Sequence, residues 1–156
     1  MKPLLPVPSS IAVLVLLVAL VGFADAAYLT IEHFRGSIPP CSVASGIFGC
    51  DTVLTSVYST VAGIPVSLFG AVYYLFVMIG AFAYIEGKRE KIFRWSLALI
   101  FLGFLATLVL VYIMAFVLNA WCLYCLISVA TSTTLFATAL FVFKKYRDTG
   151  IEPSHS

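Results

Sequence analysis

The chain has 156 residues, 62% of them hydrophobic and 10% charged. A soluble domain carries roughly 25% charged residues, so a water-solvated globular core is excluded and one membrane-embedded domain over 1–156 is expected. The net charge of +2 is too small for a nucleic-acid binder and leaves the few Lys and Arg to be read for topology.

Residues 1–10 read as a short tail containing Pro3, Pro6 and Pro8. The first span is expected over 10–31, apolar on both sides of Asp25 and about 20 residues long, enough to cross a bilayer. A signal peptide is the competing reading, with Lys2 at its positive end and Ala24-Asp25-Ala26 as a small-x-small cleavage site. The apolar pattern resumes after Ala26, which favours a retained helix. An outer loop over 34–63 follows, marked by Gly36, Pro39, Pro40, Gly46 and Gly49, and it carries Cys41 and Cys50. Asp51 reads as the N-cap of a short interfacial helix over 52–60. Pro65 suits the first turn of a second span over 64–85, where its missing N–H costs nothing.

After a charged loop over 86–94, no charge occurs for 49 residues, from Trp95 to Phe143. As one helix this run would reach about 73 Å, against a hydrocarbon core of roughly 30 Å. It must fold back, and Leu118-Asn119-Ala120-Trp121 holds the best break. Two spans result, over 95–118 and 121–143, joined by a tight turn. The expected fold is all-α: an integral membrane four-helix bundle with an outer loop containing a short interfacial helix.

Eight of the nine basic residues fall on one side of this topology: Lys2, Lys88, Arg89, Lys91, Arg94, Lys144, Lys145 and Arg147. Only Arg35 falls on the other. The positive-inside rule then makes both termini cytoplasmic in a multi-pass plasma-membrane protein. Cys41, Cys50, Cys122 and Cys125 consequently share the periplasmic or extracellular side, where disulfides form and persist.

Static bridges would pin the outer loop but leave Cys122-Leu123-Tyr124-Cys125 unexplained, because the loop closed by a Cys-x-x-Cys pair is tiny. A four-Cys zinc site fits the spacing of Cys122 and Cys125 but not that of Cys41 and Cys50. Leu126 stands where haem attachment needs His. Exchange between two redox pairs remains: a loop pair to meet a soluble protein, and a pair at the outer end of the fourth span, where i, i+3 helical spacing sets both sulfurs on one face. No glycine fingerprint for a nucleotide cofactor is present, and His33 and His155 form no haem or copper cluster. A lipid-dissolved quinone is the two-electron acceptor left, with its ring beside Cys125.

Several other residues carry two readings. Asp25 is an ionisable group in an apolar span, functional by default, or else hydrated or paired with Arg35 near the outer interface. His33 reads as interfacial. Tyr73, Tyr74, Phe69 and Phe76 either wall a quinone pocket or pack. Ser128, Thr131 and Ser132 fit hydrogen bonds to helix carbonyls. Trp121 reads as an interface anchor that also caps the quinone.

Asp25-Ala-Ala-Tyr-Leu-Thr-Ile-Glu-His33, Cys41-x8-Cys50-Asp51-x-Val53-Leu54-x-Ser56, Pro65-Val-Ser67-Leu-Phe69-Gly70 and Trp121-Cys122-x-x-Cys125 together resemble the bacterial and archaeal homologues of vitamin K epoxide reductase. The resemblance implies a four-helix bundle around a quinone, ubiquinone or menaquinone. It also implies an electron order: Cys41 from a thioredoxin-like (DsbA-like) exported protein, Cys50 to Cys122, and Cys125 facing the quinone. Ser56, Ser67, Phe69, Trp121 and Val129 become the candidate quinone contacts, and no metal is implied. Many microbial members carry a fused thioredoxin-like domain; here the partner is expected to be a separate protein. The animal enzymes place an Asn and a Tyr where Val66 and Val129 stand, which disfavours epoxide reduction. The alternatives are therefore a vitamin K epoxide or quinone reductase and, from a different class, a non-enzymatic scaffold stapled by disulfides.

Overall fold

Four long helices dominate the structure, a computed structural model that describes residues 8–37, 39, 49–87 and 90–148. Cys41, with the loop around it, lies outside the described residues. Helix α1 spans Ser9–Arg35 without interruption at Asp25. It runs past the expected end at 31 because its last turn is held internally. Arg35 pairs with Glu32 at 3.6 Å, and the Ser37 hydroxyl donates to the Glu32 carboxylate. Gly36, at φ 66°, then stops it: the N–H groups of Gly36 and Ser37 fold back to the His33 and Glu32 carbonyls, both at 3.1 Å.

The outer segment departs from expectation in two places. Helix α2 is Cys50–Leu54, preceded by Gly49 with no side-chain cap, so Asp51 lies in its first turn and is not its N-cap. It ends earlier than expected: the Thr55 N–H and hydroxyl still return to the Asp51 carbonyl, at 3.0 and 2.6 Å, but Ser56 turns extended, at φ −66° and ψ 157°. A 3₁₀ turn, Val57–Ser59, follows. Strands β1 (Thr60–Val61) and β2 (Ile64–Pro65) then pair antiparallel, with Thr60 opposite Pro65. Ala62 and Gly63 both have positive φ, 53° and 80°, the two-residue turn whose twist suits a hairpin. Pro65 therefore ends a strand, and helix α3 begins after it, at Val66–Gly87.

Helix α4, Glu90–Tyr112, continues into a π-helical turn, Ile113–Leu118. The chain reverses at Asn119, in the left-handed region at φ 47°, where the expected break lies. The N–H groups of Asn119 and Ala120 both turn back to the Met114 carbonyl. Helix α5, Leu123–Asp148, completes the bundle. Ser9–Arg35, Val66–Gly87, Lys91–Leu118 and Leu123–Lys145 are each long and apolar enough to cross a membrane.

The interior is built from small residues against aromatic ones. Ala12, Ala19, Gly22 and Ala26 of α1 face inwards, with Tyr74 and Ala81 of α3 and Leu135 and Ala139 of α5 in the same core. Apolar side chains gain little from meeting each other in lipid, so close approach and hydrogen bonds hold such helices together. Gly22 shows this: a Cβ there would overlap the Tyr74 ring. That ring is buried, and its hydroxyl joins Thr131 at 2.8 Å and donates to the Ser128 carbonyl at 3.1 Å, tying α3 to α5. Leu17, Val21, Phe76, Phe82, Leu105 and Phe141 project outwards, as a lipid-facing surface requires.

Candidate active site

Two sulfurs sit where α5 starts. Cys122 is not inside the helix, as its i, i+3 relation to Cys125 suggests, but is the residue just before it. Its carbonyl accepts the first helical bond, from Leu126 N–H at 3.0 Å. Its Sγ accepts from the Cys125 N–H at 3.5 Å, so a sulfur caps the helix in the way a Ser or Asp oxygen usually does. A helix N-terminus favours a thiolate. Cys122 responds accordingly: a hydrogen bond from the Cys125 thiol, helped by the N–H groups of Cys125 and Tyr124, outweighs burial and brings it down from 9.0 to about 7.

Cys50 meets this turn from the other direction. Cys50, Met114 and Cys122 form one buried cluster, walled by Val53, Leu54, Trp121 and Tyr124. The Gly49 N–H donates to the Trp121 carbonyl at 3.1 Å, which clips the start of α2 to the residue before Cys122. Cys50 is disulfide-bonded, whereas Cys122 and Cys125 are free thiols.

Cys125 faces a third compartment. A cavity of about 860 Å³ lies between α1, α3, α4 and α5, beneath α2 and the turn that follows it. That volume falls within the range of small-molecule sites. Its walls are mostly apolar, with Leu29, Leu54, Leu102, Leu110 and Ile113 among them. Buried Cys122 is not part of the lining, so the sulfurs are layered: Cys50 beside Cys122, Cys122 beside Cys125, Cys125 on the cavity.

Residues 13–140 match the sequence model of the vitamin K epoxide reductase family. The chain belongs to the vitamin K epoxide reductase family. It is accordingly a membrane oxidoreductase. No individual curated protein matches it.

Of the contacts expected in this family member, Ser56, Ser67, Phe69 and Val129 line the cavity, and Trp121 does not. Trp121 packs beside Cys50 and Cys122 instead, and its carbonyl accepts from the Gly49 N–H. The Ser56 hydroxyl is spent on the Val53 carbonyl at 2.8 Å, and Ser67 accepts from Thr30 at 3.0 Å. Val66 is also in the wall, so positions 66 and 129 both present only carbon there. Thr131 returns to the Ile127 and Ser128 carbonyls, as expected, and Ser132 bonds Thr107 at 2.9 Å. Both Tyr73 and Tyr74 border the cavity; Phe76 faces outwards.

Two polar groups already marked in the sequence, Asp25 and Tyr73, stand out in the structure for a reason that the sequence does not contain. Among the described residues, Asp25 Oδ2 and the Tyr73 hydroxyl are the buried side-chain atoms without a hydrogen-bond partner. Ser132 is the polar neighbour of the Tyr73 hydroxyl, but no hydrogen bond of ordinary geometry joins them. Both residues border the cavity. Arg35, the expected partner of Asp25, is paired with Glu32. The clue in the sequence was only that Asp25 interrupts an apolar span.

Proposed function

We propose that the chain reoxidises an exported thioredoxin-like (DsbA-like) protein and passes the electrons through Cys41, Cys50, Cys122 and Cys125 to a membrane quinone, ubiquinone or menaquinone. The layering of sulfur carries this reading: Cys50 packs with buried Cys122, and Cys125 opens onto the cavity.

The chemistry balances step by step. A thiolate of the visiting protein attacks Cys41 in a Cys41–Cys50 disulfide; its second thiol then closes the visitor's own bridge and leaves both loop cysteines reduced. Cys50 attacks Cys122 of a Cys122–Cys125 disulfide and releases Cys125. Cys41 resolves the mixed bridge by attacking Cys50, and Cys122 departs as a thiolate. A thiol of low pKa leaves faster, which suits the capped Cys122. Two electrons and two protons then rest on Cys122 and Cys125, both thiols in this structure.

A quinone, when bound, supplies an acceptor for two electrons and two protons. The cavity fits such a ring: its apolar walls suit the hydrocarbon, and the unpartnered Tyr73 hydroxyl can donate to a carbonyl oxygen. Phe69, Val129 and Leu102 would flank it. The distribution of Lys and Arg supports cytoplasmic termini, and the Gly49–Trp121 hydrogen bond supports a shared outer end for loop and turn.

The test replaces each Cys by Ala and follows oxidation of a thioredoxin-like protein in quinone-containing membranes. Cys125→Ala is expected to abolish it, and full activity in that variant refutes the reading. Cys41→Ala is expected to block oxidation of the protein while sparing quinone reduction by a small dithiol. Equal loss of both reactions refutes the electron order. Thiol trapping on intact cells separates a working relay from a stapled scaffold, whose cysteines would stay oxidised in all growth conditions.

A further inference from the structure

We propose that Asp25 is the proton-transfer group of this site, exchanging protons between the Cys122–Cys125 pair and a ring oxygen of the acceptor; this rests on the quinone reading above. Asp25 projects from the middle of α1 into the cavity that Cys125 borders. Its buried Oδ2 meets no hydrogen-bond donor among the described residues, and Arg35 on the same helix is taken by Glu32. An unpartnered polar atom in an apolar wall costs stability, so nothing in the packing calls for a carboxyl here. A ligand is what would use it: protonated, the group donates a hydrogen bond, and ionised, it accepts one.

Its electrical surroundings are the right ones. Asp25 is near enough to interact with Cys122 and Cys125 at the start of α5 and with Tyr74 of α3. Tyr73 of α3 is the other titratable group in the inner wall, and Glu32 and His33 of α1, with Tyr58 of the outer turn, lie among the remaining lining residues. Helix α4 contributes only uncharged, non-titrating side chains to the lining. Closing the Cys122–Cys125 bond releases two electrons and two protons from the thiols, and the two ring oxygens take up both. Asp25 delivers its own proton to one oxygen and is recharged by one from the thiol pair, so it is unchanged over the cycle.

The experiment compares the full-length wild-type chain with Asp25→Asn and Asp25→Glu in quinone-containing liposomes. Turnover with a small dithiol is followed together with infrared difference spectra on adding quinone. Asp25→Asn is expected to lower kcat about a hundredfold, the usual worth of a positioned acid–base group, with KM nearly unchanged. Asp25→Glu should recover part of the loss. The wild-type spectrum should contain a carboxyl C=O band that shifts when quinone is added and is missing from Asp25→Asn. An unchanged kcat, or a loss confined to KM, overturns the proposal. If Asp25→Asn does not assemble, the wild-type spectrum decides, and a carboxyl region indifferent to quinone overturns the proposal equally. Failure of the wild type itself to reduce quinone sinks the thiol–quinone reading and this one with it. Wild-type turnover with an indifferent Asp25→Asn sinks this one alone.

Discussion

Cys125→Ala should do more than remove a sulfur: it should change the acid strength of the sulfur beside it. The Cys125 thiol is the main reason Cys122 ionises at about 7 rather than its ordinary 9.0. At neutral pH a larger share of Cys122 is then thiolate than of an ordinary thiol. Thiolate accumulates as pH rises, so losing the donor moves the reactivity profile of Cys122 to higher pH. The N–H caps from Cys125 and Tyr124 survive in the variant and hold back part of the change. The rate at pH 7 should therefore fall, by on the order of tenfold for each unit by which the midpoint rises. The assay is alkylation by a small membrane-permeant reagent across pH 5 to about 10, with the modified residue mapped by mass spectrometry. Cys50, held in its disulfide, does not compete. An unmoved midpoint would show that the helix N-terminus alone activates Cys122, and the sulfur–sulfur account would be wrong.

Gly22→Ala drives a methyl into the buried Tyr74 ring, and overpacking of this kind costs about 1–3 kcal/mol. It should lower the thermal midpoint in detergent while leaving the cysteine alkylation pattern intact. Tyr73→Phe removes a buried hydroxyl that has no partner, so the midpoint should hold or rise. Quinone affinity, read as KM with a dithiol donor, should weaken by roughly fivefold, about 1 kcal/mol. Gly49→Pro deletes the N–H that reaches Trp121 and asks for a φ well away from the observed −112°. Transfer from the loop pair to Cys122 should slow, measured by trapping the mixed disulfide. Reduction of quinone by a small dithiol that reaches the inner pair directly should persist.

The four helices were legible because lipid demands long apolar runs whatever their packing. A run of 49 uncharged residues cannot cross the bilayer once, and Asn119 is the residue best suited to the left-handed reversal it adopts. The hairpin at 60–65 was hidden by its turn. Ala62 holds a positive φ more often taken by Asn, Asp or Gly, so Ala62-Gly63 reads as the end of the outer loop, and Pro65 reads as a helix start. Asp51 misled for a related reason: a capping residue type next to a helix is only a candidate until the geometry places it, and here Gly49 precedes the first turn. The structure likewise moved Cys122 out of α5 to its cap and turned Trp121 away from the cavity.

Composition, charge and the spacing of four cysteines were enough to place this chain in a membrane and to set its family's motifs along it, because hydropathy and covalent order act locally along the chain. Which sulfur touches which compartment was a matter for the folded bundle. The contacts joining Cys50 to Cys122, and Asp25 and Tyr73 to the cavity of Cys125, link residues far apart in the chain, and they exist only once α1, α3 and α5 close on one another.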